Sequence, residues 1–222
     1  MGRIFAIGDI HGCSNTFQKL LLDKIKIQKS DKIYCIGDYI DRGNDSKGVI
    51  DFILKLIKKN YQVHTLRGNH EQLMMDSIQS EDKLKHWLKN GGAETLKSFG
   101  IDSYNEMKPV YKNFFNRTKF FIKSGKFIFV HAGLNFNSAF PFEDKQAMLW
   151  IRDFEIDKQR LGNRFIIHGH TPISLEQITK QQSARAINID GGCVYKDKEE
   201  LGNLIALNIT EGKLIAARNI DN

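Results

Sequence analysis

The chain has 222 residues, 41% hydrophobic and 27% charged, values of an ordinary globular domain that buries a core without disulfides or a structural metal and that argue against disorder. Its formal net charge of +7 favours anionic substrates, yet the lysines fall at helical polar spacing and no nucleic-acid reading module accompanies them. Three cysteines without a C-x-x-C pair argue against a disulfide framework or a zinc ribbon and for reduced thiols.

The sequence opens with Met1-Gly2-Arg3 and at once turns strand-like, leaving no room for a signal peptide. Ala6 breaks the myristoylation pattern, and no apolar run approaches the roughly 18 residues of a membrane span. A single domain over residues 1–222, cytoplasmic and without a membrane partner, is the expectation.

A first strand, Arg3 to Ile7, ends in G-D-I-H-G (8–12), and Ser14-Asn15 is placed to cap a helix through Phe17, Leu20, Leu21 and Ile25. Asp9 and His11, two residues apart in an extended turn, can face one way and suit a divalent metal. Alone, they read as a capping aspartate and a surface histidine. A second strand, Lys32 to Ile36, runs into G-D-Y-I-D-R-G (37–43). Strand exits are where α/β folds keep their chemistry: there Asp38 is able to bridge two ions, Asp41 to orient an imidazole and Arg42 to grip a phosphoryl group. Asp45-Ser46 then starts an amphipathic helix through Val49, Ile50, Ile53, Leu54 and Ile57. A third strand, Gln62 to Leu66, ends in R-G-N-H-E (67–71), where Asn69 offers a carbonyl ligand and His70 an acid/base imidazole.

The segment from Glu81 to about Arg117 reads as helical and structural, capping the site, with His86 and Trp87 before the stop Gly91-Gly92. Strands over Lys126 to Val130 and Arg164 to Ile167 run into H-A-G (131–133) and H-G-H-T (168–171). His131 and His170 thereby join Asp9, His11, Asp38 and Asn69 as candidate ligands, all reached from one edge if the strands align. His168 is placed to back a ligand or to pack in the core. The apolar run Met148 to Ile151 ends in Arg152, a second candidate phosphate clamp. Ala186 to Ile189, Leu204 to Ile209 and Lys213 to Ala217 read as consecutive antiparallel strands that complete a second sheet. Cys35 lies in an apolar strand, whereas Cys13 adjoins the first motif, where a redox role is open.

Taken in order, G-D-I-H-G, G-D-Y-I-D-R-G, G-N-H-E, H-A-G and H-G-H-T resemble the phosphoprotein phosphatase family of calcineurin-like metallophosphoesterases, from Asp9 to Thr171. G-N-H-E-Q-L-M-M-D, H-W-L-K-N-G-G and Trp150-Ile151-Arg152 are similar to its bacterial and phage branch, typified by the lambda phosphatase. The resemblance implies an α/β fold, a β-sandwich of two mixed sheets flanked by helices in four layers (αββα). It implies that Asp9 and His11 hold one metal, that Asp38 bridges, and that Asn69, His131 and His170 hold a second. His70 is then the general acid, oriented by Asp41. Arg42, Arg152 and Asn69 bind the phosphoryl group, and Glu71 and His168 support the ligands. The implied cofactors are two divalent ions, manganese foremost, with iron, zinc or nickel as alternatives. Oxygen and imidazole donors suit such ions. Two of them about 3.5–4 Å apart bring the pKa of a bridging water toward ~7, so that hydroxide attacks phosphorus without a phosphoenzyme.

The expected function is a metal-dependent protein phosphatase acting on phosphoserine and phosphothreonine, with phosphotyrosine and small phosphomonoesters as further substrates. The alternative is a symmetrical dinucleoside tetraphosphate hydrolase of the same superfamily. Such enzymes, as the resemblance implies, usually lack a carboxylate at the position of Asp41 and carry G-N-H-D, so Asp41 and Glu71 favour the monoesterase. A catalytically silent phospho-ligand binding module is opposed by the complete set of site residues. A nuclease is opposed by Arg42 and Arg152, which favour a terminal phosphoryl group.

Overall fold

Apolar residues alternate along the strands, and that alternation sets the layers. The computed structural model describes residues 2–181 and 184–221. In β1 (Ile4–Ile7) and β2 (Lys32–Cys35), Phe5, Ile7, Ile33 and Cys35 face one way and Ala6 and Tyr34 the other. The first set packs under α1 (Ser14–Lys19) and α2 (Ser46–Lys58), against Phe17, Leu20, Val49, Ile50 and Ile53. The second set faces the other sheet.

β3 (Gln62–Thr65) follows β2 and leads into α3 (Asn69–Asp76). Next come α4 (Glu81–Trp87), α5 (Ala93–Phe99) and α6 (Pro109–Arg117), which cover the helical side with Trp87 and Phe115 fully buried. The second sheet takes β4 (Phe121–Ser124), β5 (Phe127–Val130), β6 (Phe165–His168) and β7 (Ala186–Asn188) in that spatial order. Its outer face, Ile128, Val130 and Ile166, packs on Leu134, Met148 of α7 (Lys145–Trp150) and Leu161 of α8 (Lys158–Leu161). After α9 (Leu175–Lys180), β8 (Asn203–Asn208) and β9 (Lys213–Arg218) close the first sheet, whose order is β3-β2-β1-β8-β9. Between the sheets lie Ala6, Tyr34, Ile36, Phe129, Ile167, Ile205 and Leu207. Both sheets are mixed, and the layers run αββα. No helix among the described residues is long and apolar enough to cross a membrane.

The C-terminal grouping read from sequence needs correction. β7 pairs in parallel with β6, whereas β8 and β9 pair antiparallel with β1 and with each other in the first sheet. A chain of short strands between glycines carries no mark of which sheet each joins, and the 14 residues between Asn188 and Asn203 let the chain cross over. β4, paired antiparallel with β5 through the turn at Gly125, is a strand that the reading missed. The cap of α1 also differs. The helix starts at Ser14, and its first amides are capped from the far end of the chain, Asp221 accepting from Asn15 N (2.8 Å) and Thr16 N (2.9 Å).

Topology positions the site. β1, β2 and β3 are parallel, as are β5, β6 and β7. Their C-terminal ends release the loops that carry Asp9 and His11, Asp38 to Arg42, Asn69 and His70, His131, His170, and Asp190.

Candidate metal centre

The loops reach the centre through unusual backbone. Among the described residues seven non-glycine residues have positive φ, and five of them are His11, Asp38, Asp41, Arg42 and His170. Such conformations cost roughly 1–3 kcal/mol each and persist where surrounding contacts over-determine them. Here those contacts are visible: Ile10 N and His11 N both donate to the Asp38 carbonyl (3.0 and 2.9 Å), and Glu71 accepts from Asp38 N, Tyr39 N and Gly68 N (2.9, 2.8 and 2.8 Å). Glu71 thus ties two motif loops together. Burial and the nearby Asp38 charge push its pKa up to about 8 against the pull of those amides.

Asp38 is the hub. Its Oδ2 lies 3.4 Å from His11 Nε2, 3.5 Å from His131 Nε2 and 4.0 Å from His70 Nε2, while its Oδ1 accepts from His70 N at 3.1 Å. Burial opposes its charge, but the surrounding imidazoles outweigh burial and hold its pKa below the usual carboxylate range. The ligand atoms of His11, Asp38 and His70 lie within 4.8 Å of one another, as do those of Asp38, His131 and His170.

The tautomers follow from carbonyl oxygens, which only accept. His11 Nδ1 donates to the Ile40 carbonyl (2.8 Å) and His131 Nδ1 to the Ile36 carbonyl (3.1 Å), so each neutral ring turns its Nε2 lone pair inward. Burial, with Arg42 nearby, keeps His11 well below its ordinary pKa, and burial lowers that of His131. Asn69 Oδ1 lies 2.9 Å from both His131 Nε2 and His170 Nδ1. Burial, with His131 second, brings the His170 pKa down to about 3.

A cation fits this arrangement. Asp9 Oδ1 and His170 Nε2 are the buried side-chain polar atoms without a hydrogen-bond partner among the described residues. Lone pairs of His11, His131 and Asn69 converge on an ionised Asp38. A Cβ at position 169 would stand 2.3 Å from Asp9 Oδ1, so Gly169 keeps that oxygen's surroundings open. The donors are oxygen and imidazole, as borderline divalent ions prefer.

The sequence-derived residues fall into place unequally. Asp38, Asn69, His131 and His170 converge, and His11 joins Asp38 from the other side. Asp9 stands outside the tightest group: its Oδ2 accepts from His170 N (3.0 Å), and His70 takes the nearer position beside His11 and Asp38. His70 Nδ1 bonds Asp41 Oδ2 at 2.7 Å. Burial opposes its protonation, yet the Asp38 charge and the Asp41 hydrogen bond together raise its pKa above 6.5. Arg42 Nη1 donates to His11 Nε2 at 2.8 Å, and its guanidinium carbon sits 5.7 Å from the Tyr195 ring centroid. Arg152 is exposed at the rim, near enough that its charge helps depress the His170 pKa.

His168 lies at the end of β6, just before the turn that carries His170. It packs edge-on to Phe154, ring centroids 5.3 Å apart, and its Nδ1 lies 3.4 Å from the Gly169 carbonyl. The left-handed turn at His170 breaks the two-residue alternation that would have put both rings on one face.

Three participants were missed. Trp87 Nε1 donates to Asp41 (3.0 Å to Oδ2), and Thr95 Oγ1 donates to Asp41 Oδ1 (2.6 Å), so two helices of the middle segment fix the carboxylate behind His70. A buried indole N–H demands a partner, which is the one signal the sequence held. Asp190 is buried beside Asp9 and accepts from Gly192 N (2.9 Å), its pKa pushed to about 7 by burial. Followed by two glycines, it reads as a turn residue.

The calcineurin-like phosphoesterase family matches over residues 2–208. The bis(5'-nucleosyl)-tetraphosphatase PrpE [asymmetrical] of Oceanobacillus iheyensis is 28% identical, the match covering 88% of this chain and 86% of that protein. Serine/threonine-protein phosphatase 1 of Salmonella typhimurium is 37% identical over 90 residues, 40% of this chain and 39% of that one. The crystal structure of a candidate diadenosine tetraphosphatase superposes with a TM-score of 0.69 at 18% identity, covering 100% of this chain and 95% of the other.

Proposed function

Since the chain belongs to the calcineurin-like phosphoesterase family, we propose that it is a dinuclear metal-dependent hydrolase of dinucleoside tetraphosphates. The observation that carries the substrate class is the similarity to the Oceanobacillus iheyensis protein over most of both chains, against 40% of this chain for the Salmonella typhimurium phosphatase. The relative's name specifies asymmetrical cleavage, so the expected products from diadenosine tetraphosphate are a nucleoside monophosphate and a nucleoside triphosphate. The symmetrical mode, two diphosphates, is the weaker expectation.

Asp9 and His11 would hold one ion, Asn69, His131 and His170 the other, with Asp38 between them; manganese is the proposed metal. When bound, the ions supply the charge that activates water and neutralises phosphoryl oxygens. Arg42, already projecting to His11, and Arg152 at the rim would orient the attacked phosphoryl group, with the Asn69 amide beside it. His70, whose pKa is raised by the Asp38 charge and the Asp41 hydrogen bond, would act as the imidazolium, with Nδ1–H donating to Asp41 and Nε2–H serving the leaving oxygen.

A second reading, a phosphomonoesterase acting on phosphoproteins, is favoured by the same His70–Asp41 pair. A departing alkoxide is strongly basic and needs a positioned general acid, whereas a departing nucleotide is a far weaker base. Turnover of diadenosine tetraphosphate, compared with phosphoserine, phosphothreonine and phosphotyrosine peptides under equal manganese, separates the readings. Higher kcat/KM for the tetraphosphate supports the first; peptide turnover without tetraphosphate cleavage replaces it with the second.

A further inference from the structure

Two of the three cysteines meet behind the metal centre. Cys13 follows the turn of Asp9 and His11, its Sγ 3.5 Å from the His11 carbonyl. Cys193 follows the turn of Asp190, two glycines on. Asn219 joins them, its Nδ2 lying 3.5 Å from Cys13 Sγ and donating to the Cys193 carbonyl at 2.8 Å. Both side chains are buried. The Cys193 thiol faces that of Cys13, and this contact, with burial, raises its pKa well above the ordinary thiol value. Cys35, by contrast, sits in the sheet, pushed up to about 12 by burial alone.

The cover over the pair is the segment from Asn219 to Asp221. Asn219 lies on it, and the next residues are held by Ile220 N donating to Thr16 Oγ1 (2.9 Å), Thr16 donating to Asp221 (2.6 Å) and Lys196 Nζ donating to the Asp221 carbonyl (2.9 Å). A segment outside the sheets that is held by a few hydrogen bonds opens locally at lower cost than a core strand. The sulfurs can therefore meet a small reagent without global unfolding.

We propose that Cys13 and Cys193 are a redox pair, a dithiol that a low-molecular-weight disulfide such as oxidised glutathione converts into a cross-link between two turns of the metal centre. One cysteine sulfur attacks the small disulfide and expels the first glutathione thiol. The second attacks the mixed disulfide and expels the other. The protein loses two electrons and two protons, and both appear on the two glutathione thiols. A sulfur–sulfur bond of about 2.0 Å draws the turns together. Asp9 and His11 are on one of those turns, so the cross-link weakens metal binding there; that consequence rests on the proposed metal assignment, whereas the cross-link does not.

The test is incubation of the full chain with oxidised glutathione, followed by thiol counting, intact mass and peptide mapping. The three thiols should fall to one, with no glutathione retained and a mass lower by two hydrogens. The linked peptides should contain Cys13 and Cys193, and dithiothreitol should restore them. Cys13→Ser and Cys193→Ser should each abolish the linkage, and Asp221→Ala, which loosens the cover, should speed it severalfold. Three persisting thiols, or a stable glutathione adduct on one cysteine, would overturn the proposal. Calorimetric titration with manganese should then show severalfold weaker binding to the oxidised chain; equal affinities overturn the coupling to the metal while leaving the reading of the centre standing.

Discussion

His70 Nδ1 and Asp41 Oδ2 lie 2.7 Å apart, with both side chains buried and Asp41 further anchored by Trp87 and Thr95. The pair fixes the ring so that Nε2 faces Asp38. An acid held this way matters in proportion to the basicity of the leaving group. Asp41→Asn should therefore lower turnover of alkyl phosphate esters by roughly 10²–10³, with a smaller loss for dinucleoside tetraphosphates and metal content unchanged. Trp87→Phe should show the same pattern more weakly. Steady-state kinetics across leaving groups checks this, and equal losses for esters and tetraphosphates would remove His70 as the acid.

The same contacts set a pH dependence. His70 is raised above its ordinary value of 6.5 by Asp38 and Asp41. Because the acid form donates, kcat/KM for an ester should hold below the raised value and fall as pH rises through it. Asp41→Asn removes one of the raising interactions and should move that alkaline limb to lower pH. A limb that stays in place would assign it to another group.

The sheet ends were legible in the sequence because five glycine-containing polar turns follow apolar runs, and parallel pairing of β1 with β2 and β3, and of β5 with β6 and β7, brings those five loops to one edge. Asp38 and Asn69 could be named from residue type and position alone. Trp87 could not, since its partner lies 46 residues earlier and contact across that distance leaves no local pattern. His168 is the opposite case: local spacing puts it beside His170, while the positive φ at His170 turns the chain and the His168 ring packs on Phe154. The sheet partners of β7 and β8 depend on a crossover whose loop carries no periodic pattern that marks the sheet each strand joins.

Arg42→Ala should weaken inhibition by inorganic phosphate and raise KM for the substrate together, by about tenfold or more for loss of a charge-assisted contact of 1.5–3 kcal/mol. Inhibition assays with both substrate classes check it. If neither changes, the guanidinium bonded to His11 serves only the ligand loop.

Asp221 caps α1 from the other end of the chain and accepts from Thr16 Oγ1 as well. Asp221→Ala should cost about 1–2 kcal/mol, as for other lost helix caps, measured by urea unfolding. Asn15 and Thr16 follow directly on the Asp9–His11 motif, so manganese affinity should fall with stability. A stable variant with ordinary affinity would show the tail to be an ornament of the fold.

The most direct test is titration of metal-stripped protein with manganese while hydrolysis of diadenosine tetraphosphate is followed. Two ions per chain should bind, activity should appear with the second, and Asp38→Asn should abolish both, because its Oδ2 is the atom shared by the two groups of ligands. Hydrolysis that survives chelation, or survives Asp38→Asn with wild-type metal content, would contradict the account.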